Sequence, residues 1–246
     1  MSLYLFQRKR AGFSLIELLV VIAIIAILIT LLTPLIKRSI DRARLSGCIS
    51  NIRQLASACA MYAADNNGQL PHPCWGTKTQ LKSLEGGWLY SGDFGGNPYF
   101  DSWTNIKTGV LWSYIQDRKV YRCPADPQPE IEDLYFYPDD CWLLTSYGMN
   151  GSMCGYKPHG RVLRVSELRP SDVIVWEQEF RWNVKGDLWD GANSPDQGMN
   201  NRHYGKGAIG CVDGHVEIIT QEDYNKMTRR SAGWDGRRNR FWHYPY

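Results

Sequence analysis

The sequence lacks the short motifs that mark the commonest catalytic and zinc-binding sites. None of its seven cysteines forms a C-x-x-C pair, which argues against a zinc knuckle or a thioredoxin-like redox motif. Neither G-x-S-x-G nor H-E-x-x-H occurs, so neither a nucleophile elbow nor a zinc-protease helix is indicated. No internal repeat is visible. These absences argue against an enzyme of a familiar class.

Charge of one sign is also scarce, because the 246 residues carry a net charge of only +3. A protein that binds nucleic acid over much of its surface needs a cationic excess, since phosphate neutralisation supplies much of the affinity. The chain as a whole is therefore not built for nucleic acid. The cysteine count is odd, so at least one thiol stays unpaired or pairs between chains.

One long hydrophobic run dominates the amino-terminal part of the chain. Residues 13–36 are almost wholly Leu, Ile, Val and Ala, and Glu17 is their one acidic residue. About 20 apolar residues suffice to cross a bilayer as a helix. A secretory signal has a shorter apolar core and a small-residue cleavage site after it, and no A-x-A follows this run. A plain membrane anchor explains neither Gly12, directly before the run, nor a carboxylate inside it.

The stretch Gly12-Phe13-Ser14-Leu15-Ile16-Glu17 resembles the processing site of type IV pilins and of type II secretion pseudopilins. The resemblance implies that a prepilin peptidase cuts between Gly12 and Phe13 and methylates the new amino terminus at Phe13. Glu17 then occupies the position where the family keeps its assembly glutamate, and Pro34 lies where pilins commonly carry a helix-kinking proline. The implied function is structural, not enzymatic: a subunit assembled with other pilin or pseudopilin subunits into a type II secretion pseudopilus or a type IV-like pilus.

Four regions are expected along the chain. Residues 1–12 form the leader, residues 13–36 the transmembrane and assembly helix, residues 37–66 its amphipathic continuation, and residues 67–246 a globular β-rich domain. Lysines and arginines beside a span tend to stay in the cytoplasm, so we expect the basic leader inside and the globular domain in the periplasm. The protein is thus expected in the bacterial inner membrane with a single pass, and later in a filament or at the cell surface.

The expected fold class is α+β, with the long helix packed on a small antiparallel sheet that has long loops. Apolar residues recur at three- and four-residue spacings after the span, which predicts one helix from Phe13 to about Asn66. Asn66-Asn67-Gly68 supplies its stop. A hairpin is predicted over 207–219, turning at Asp213-Gly214 through two positive-φ residues.

Other strands are predicted from β-branched content and length at 143–149, 162–164 and 173–177. Short candidates lie at 87–90, 110–112 and 120–123, of which the middle one could equally be a short helix over 109–116. Residues 185–202 are polar and glycine-rich, so a loop is predicted there.

A second resemblance lies towards the carboxyl terminus. His203 is followed by nine residues and then by Asp213-Gly214, and this H-x9-DG spacing resembles a signature of a large group of prepilin-type proteins. The stretches 121–126 (Tyr-Arg-Cys-Pro-Ala-Asp) and 146–150 (Ser-Tyr-Gly-Met-Asn) are similar to that group as well. The resemblance indicates a subgroup but no chemistry, because the function of that group is poorly defined.

His203 and Asp213 also admit a catalytic or metal-binding interpretation, in which Glu177 or Glu179 at a strand end completes the site of a metal hydrolase. The simpler interpretation is that Asp213 serves the turn beside Gly214, while His203 is hydrogen-bonded to a loop. The simpler interpretation is favoured, because Gly214 explains Asp213 without any ligand.

Calcium is implied by the resemblance to the major pseudopilin, since those proteins commonly order a carboxyl-terminal loop with Ca²⁺. Oxygen ligands suit this ion, and one loop contains four such residues: Asp190, Asn193, Asp196 and Asn200. Their spacing is not that of an EF-hand, so a solvated glycine-rich connector is the alternative.

A different class of function stays open, in which the helix only anchors a module that binds polysaccharide or DNA. The candidate contacts are Trp88, Trp103, Trp182, Trp189 and the basic, aromatic tail over 229–244. Cations mixed with aromatic rings attract phosphates and stack on bases. A subunit contact, or a tail docked on the core, is the favoured interpretation of the tail.

Overall fold

The computed structural model describes residues 14–74, 86–90, 106–126, 145–154, 162–179, 191–228 and 239–243. The chain divides into two compact units, Met1–Ala43 and Arg44–Tyr246. The first helix begins in one unit and ends in the other.

Helix α1 covers Leu15–Asp65 and is long and apolar enough to cross a membrane, the one helix of this kind among the residues described. Its start is capped reciprocally. The N–H of Ser14 donates to Oε2 of Glu17 at 2.8 Å, and the N–H of Glu17 donates to Oγ of Ser14 at 3.2 Å. The large apolar side chains from Leu15 to Ile36 are 44–80% exposed, so water is not their natural surroundings.

The end of α1 follows from its last residues. The N–H of Gly68 donates to the carbonyl of Ala63 at 2.7 Å, and Asn67 and Gly68 have φ values of 55° and 80°. This left-handed backbone satisfies carbonyl groups that the helix end leaves without partners. The predicted stop is confirmed.

Five strands form one mixed sheet in the second unit. They are β1 (Tyr147–Asn150), β2 (Val173–Glu177), β3 (Ala192–Asn193), β4 (Lys206–Cys211) and β5 (Val216–Thr220). Their order is β3-β1-β2-β4-β5, and all neighbours pair antiparallel except β3, which runs parallel to β1. The predicted α+β class, with a long helix packed on a small sheet, is confirmed. The sheet is mixed, however, because the predicted loop over 185–202 contributes β3.

The predicted strand over 173–177 is confirmed residue for residue as β2. The prediction over 143–149 is confirmed in part, since β1 begins at Tyr147 and residues 143–144 lie outside the described ranges. The prediction over 162–164 is wrong. There the structure has no strand, and Arg164 forms an isolated bridge with Gln69.

The three short strand candidates fold otherwise. At 87–90 only Gly87 bridges, to His72. The alternative of a short helix at 109–116 is confirmed by the one-turn helix α2, Trp112–Ile115. The candidate at 120–123 is replaced by a 3-10 turn at Arg118–Tyr121, because the carboxylate of Asp117 accepts the N–H of Lys119 at 2.9 Å and so caps a helical turn.

The carboxyl-terminal hairpin is confirmed as β4 and β5, but the predicted type of turn is wrong. Only Gly214, at φ 85°, has a positive φ, whereas a type I′ turn needs two such residues. The N–H of Gly214 donates to the carbonyl of Cys211 at 2.9 Å, and the carboxylate of Asp213 accepts the N–H of His215 at 3.1 Å. The side chain of Asp213 therefore stabilises a connection between β4 and β5 that is longer than a two-residue turn.

The sheet lies between two hydrophobic clusters, so β2 is buried along its whole length. The first cluster joins α1 to the sheet and includes Cys48, Ile52, Leu55, Ile174, Val175 and Ala208. The second joins the sheet to helix α3 (Gln221–Thr228) and to the tail, and includes Trp176, Ile209, Tyr224, Phe241 and Trp242.

The described part of the tail, residues 239–243, docks on the sheet. The carbonyl of Phe241 accepts hydrogen bonds from Asn150 Nδ2 at 2.9 Å and Ser152 Oγ at 2.8 Å. The carbonyl of Arg240 accepts the N–H of Val173 at 2.7 Å. For these residues the interpretation of a tail docked on the core is confirmed; 229–238 and 244 lie outside the described ranges.

Candidate functional site

The amino-terminal processing site is described only in part. Gly12 and Phe13 lie outside the described residues, and Glu17 sits in the first turn of α1 with an exposed side chain. Its carboxylate caps the backbone N–H of Ser14, as given above. The glutamate therefore stands where a charge from another chain could reach it.

A second cluster of reactive side chains is buried in the globular unit. It consists of Cys48, Cys123, Glu177 and His203, whose exposures are 0%, 3%, 0% and 4%. One sulfur, nitrogen or carboxylate oxygen from each residue lies within 4.8 Å of the others. We call these four residues the Cys-His-Glu cluster.

Hydrogen bonds from α1 bring the two cysteines together. Asn51, three residues after Cys48, donates from Nδ2 to the carbonyls of Lys119 at 3.0 Å and Arg122 at 2.7 Å. These bonds hold the segment that leads into Cys123 against the helix. The N–H of Cys123 then donates to Oγ of Ser146 at 2.9 Å, just before β1.

The sheet supplies the glutamate and positions the histidine. Glu177 is the last residue of β2, and its Oε2 accepts the N–H of Ala208 in β4 at 2.9 Å. Its other oxygen, Oε1, lies 3.2 Å from Nε2 of His203. His203 and Lys206 exchange backbone hydrogen bonds of 3.2 Å, which closes the turn before β4. The same Nε2 atom lies 3.4 Å from Sγ of Cys123.

A ring of polar groups surrounds the cluster. Tyr147 donates from its hydroxyl to Sγ of Cys48 at 3.5 Å. Arg202 places Nη1 3.8 Å from Oε1 of Glu177 and Nη2 3.3 Å from Asp126. The stretches 121–126 and 146–150, which resemble the H-x9-DG group, therefore meet His203 at this one place.

These contacts shift the pKa values of the cluster strongly. The pKa of the Cys48 thiol is raised, because its proton is held in a hydrogen bond to Cys123 and because it is buried. The pKa of Cys123 is lowered by that same bond and by His203, against the effect of burial. Burial alone would lower the pKa of His203, but Cys123 and Glu177 raise it to about 9. The Cys123 thiol is therefore the more acidic of the two, and the ring of His203 is more basic than a free imidazole.

Strongly shifted groups gathered at one place mark a functional site more often than a structural accident. Two sulfurs, a ring nitrogen and a carboxylate oxygen are the donor types that zinc takes in proteins. Because all four residues are buried, a substrate has no open path to them. The arrangement suits a bound ion better than catalysis.

The predicted metal-hydrolase set is only partly brought together. His203 and Glu177 are in contact, but Asp213 is not a member of the cluster, because its carboxylate contacts the ring of His215 at the hairpin turn. Glu179 is not a member either. The simpler interpretation fits Asp213, whose carboxylate stabilises the hairpin turn. It does not fit the side chain of His203, which contacts Cys123 and Glu177 instead of a loop.

Sequence reasoning missed Cys48 and Cys123 as partners of His203. The four residues come from four separate segments of the chain, so no local motif such as C-x-x-C identifies them as a group. Cys48 lies among the apolar residues of α1 and looks like a small buried hydrophobe. The one available signal was that Cys123 and His203 each lie in a stretch that resembles the same group.

In the described part of the candidate calcium loop, three of the four proposed ligands make hydrogen bonds within the loop. Asn193 donates from Nδ2 to the carbonyl of Gly198 at 3.2 Å, and the carboxylate of Asp196 accepts the hydroxyl of Ser194. Asn200 accepts the N–H of Arg202 at 2.9 Å. Asp190 lies outside the described residues, and calcium stays a prediction.

The aromatic residues proposed for polysaccharide or DNA binding are mostly outside the described ranges, namely Trp103, Trp182 and Trp189. Trp88 is described and fully buried, and its Nε1 donates to the carbonyl of Gly191 at 3.0 Å. In the tail, Phe241 and Trp242 are buried and Arg240 pairs with Glu217. Among the described residues, Trp88, Phe241 and Trp242 are therefore part of the core, where their rings are not open to a sugar or a base.

Comparison with known proteins gives one family match. Residues 7–33 match the prokaryotic N-terminal methylation motif. No curated protein and no solved structure matches the chain. The match includes Gly12, Phe13 and Glu17 and supports a pilin-like subunit that prepilin peptidase processes. Together with the apolar helix α1, it is consistent with anchoring in the inner membrane.

Proposed function

We propose that this protein is a structural subunit of a type II secretion pseudopilus or of a type IV-like pilus. The observation that carries the proposal is the methylation motif at 7–33, which runs directly into the exposed apolar part of α1. The precursor inserts with its basic leader in the cytoplasm and its globular unit in the periplasm. Prepilin peptidase then cuts between Gly12 and Phe13 and methylates Phe13.

Assembly follows from the surface that α1 exposes. An apolar run of this length must be covered by lipid or by other helices. In a filament the carboxylate of Glu17 lies among such helices, where an unpaired charge is costly. The amino group of Phe13 in a neighbouring subunit removes that cost by pairing with it. The partners are therefore prepilin peptidase, the inner membrane and further pilin or pseudopilin subunits.

Mass spectrometry of the protein from purified membranes and sheared filaments tests the proposal. We expect a chain that begins at Phe13 and carries one added methyl group on its amino terminus. A Gly12→Ala variant is expected to stay full-length, because the peptidase no longer finds its glycine. Recovery of the wild-type chain still starting at Met1 would contradict the proposal.

A further inference from the structure

We propose that Cys48, Cys123, Glu177 and His203 bind one Zn²⁺ ion. The ion ties α1 to the sheet and gives the histidine of the H-x9-DG signature its role. This site is separate from the processing segment, so it goes beyond the proposed function and does not depend on it.

The geometry of the cluster fits a tetrahedral ion. With Zn–S bonds of about 2.3 Å and Zn–N or Zn–O bonds of about 2.0 Å, ligand atoms in a tetrahedron lie roughly 3.2–3.8 Å apart. In this structure Sγ of Cys123 lies 3.4 Å from Nε2 of His203, which lies 3.2 Å from Oε1 of Glu177. All four donor atoms lie within 4.8 Å of one another, so small adjustments complete the coordination.

The polar atoms around the cluster point to an ion as well. Oε1 of Glu177 is buried and makes no hydrogen bond of good geometry among the described residues, although Nε2 of His203 lies 3.2 Å from it. Oε2 of the same carboxylate accepts the N–H of Ala208. A metal bond would give Oε1 a direct partner. Tyr147 and Ala125 donate hydrogen bonds to the two sulfurs, which is how outer groups orient metal ligands.

Charge favours zinc and a structural role. Two thiolates, a carboxylate and a neutral imidazole around Zn²⁺ carry a net charge of −1. The guanidinium of Arg202, 3.8 Å from Glu177, offsets that charge. Four protein ligands leave no open position for water or substrate, which is typical of structural zinc. Binding releases the protons of the thiols and of the imidazolium and stabilises the folded state.

The second Cys/His/Glu group in the described structure is a less suitable zinc site. It consists of Cys211, His215 and Glu217 at the hairpin. Arg240 lies against it, with Nη2 3.3 Å from Sγ of Cys211 and 2.6 Å from Oε1 of Glu217. A guanidinium in that place repels a metal cation, and the group is partly exposed.

Metal analysis of the full-length chain, purified in detergent without chelators, tests the site. We expect about one zinc per chain in the wild type. Cys48→Ala and His203→Gln are each expected to lose it. The matched controls keep it: Cys59→Ala removes another buried cysteine of α1, and His215→Gln removes the histidine of the hairpin group.

A second measurement uses only the wild-type chain, so that the test does not depend on the variants being able to fold. The wild-type chain is stripped with a chelator and then titrated with Co²⁺, which gives intense visible absorption when thiolates bind it tetrahedrally. We expect that absorption, its loss on addition of Zn²⁺, and an unfolding temperature that rises with Zn²⁺ concentration. The proposal is overturned by a folded wild type with neither zinc nor the cobalt spectrum. A Cys48–Cys123 disulfide in the native protein also overturns it.

Discussion

Arg240 in the tail holds the carboxylate of Glu217 in β5 at two points, with Nη1 3.0 Å from Oε2 and Nη2 2.6 Å from Oε1. The side chains are 25% and 35% exposed, so the pair is only partly screened by water. Two parallel bonds from a planar guanidinium make this one of the stronger forms of ion pair. The pair fastens residues 239–243 to the edge strand of the sheet.

Acid is expected to weaken the fold through Glu217. Arg240, and after it His215, lower the pKa of Glu217 from 4.5 to about 2, against burial. The ionised carboxylate therefore stabilises the folded state above pH 4.5, and this contribution is lost as the pH falls from 4.5 to about 2. Glu217→Gln should cost about 0.5–1 kcal/mol at pH 7. The difference from wild type should disappear towards pH 2.

Urea unfolding of the full-length chain in detergent, followed by tryptophan fluorescence, measures this effect. Glu222→Gln is the matched control, because Glu222 pairs with Lys226 on an exposed helix face and should matter little. Equal stability of Glu217→Gln and wild type at pH 7 would show that the ion pair contributes nothing to holding the tail, which its apolar contacts and backbone hydrogen bonds then hold.

Gly210 in β4 packs tightly against Ile52 of α1. A Cβ atom there would lie 2.6 Å from Cγ2 of Ile52 and 2.9 Å from Cγ1 of Val175. Gly210→Ala should therefore destabilise the fold by about 1–3 kcal/mol through overpacking. Ile52 is fully buried, so Ile52→Ala alone should cost about 2–5 kcal/mol.

The double variant separates overpacking from other causes. Because Ile52→Ala removes the atom that Gly210→Ala would strike, the two together should cost less than the sum of the single changes. Unfolding in urea measures all three chains. Strict additivity would mean that the alanine at 210 acts through Val175 or the backbone and not through its contact with Ile52.

Glu17 is expected to act through its charge during assembly. Glu17→Gln keeps an oxygen that can accept the N–H of Ser14 but removes the charge. Cleavage should be spared. Filament incorporation should fall by roughly 100-fold, since an unpaired buried ammonium costs about 3 kcal/mol.

Ser14→Ala is the control for this experiment, because it removes the hydroxyl that accepts the N–H of Glu17 while keeping the carboxylate. It should cost the helix start about 1 kcal/mol and leave assembly intact. Quantitative detection in sheared filaments compares the two variants. Normal incorporation of Glu17→Gln would exclude the proposed charge pair.

Much of the fold was predictable where the signals are local. The stop after α1 needs only Asn67 and Gly68, β2 shows in a run of β-branched residues, and the hairpin shows in Asp213-Gly214 between two strand runs. The 3-10 turn at Arg118–Tyr121 replaces a strand because of a local cap from Asp117 that the prediction overlooked. The short strand β3 was missed for a different reason, since it forms only where β1 lies beside it in space.

The functional residues likewise include some that the sequence indicated and some that only the fold brings together. Gly12, Phe13 and Glu17, the residues proposed for processing and assembly, lie within one short stretch, so the amino-acid order alone pointed to them, and the motif match at 7–33 includes all three. His203 was visible through its spacing to Asp213, but that spacing suggested the wrong partner. Cys123 and Glu177 meet its ring because the sheet and the Asn51 hydrogen bonds carry distant segments to one point.

The sequence by itself determined that the chain begins with a long apolar helix behind a pilin-type processing motif, since periodicity and contiguous motifs are local properties. Only the tertiary structure decided that two cysteines, a glutamate and a histidine share one buried point. It also decided that Phe241 and Trp242 of the tail are part of the core. Both outcomes depend on contacts between residues far apart in the chain, and such contacts have no period or spacing from which they could be inferred.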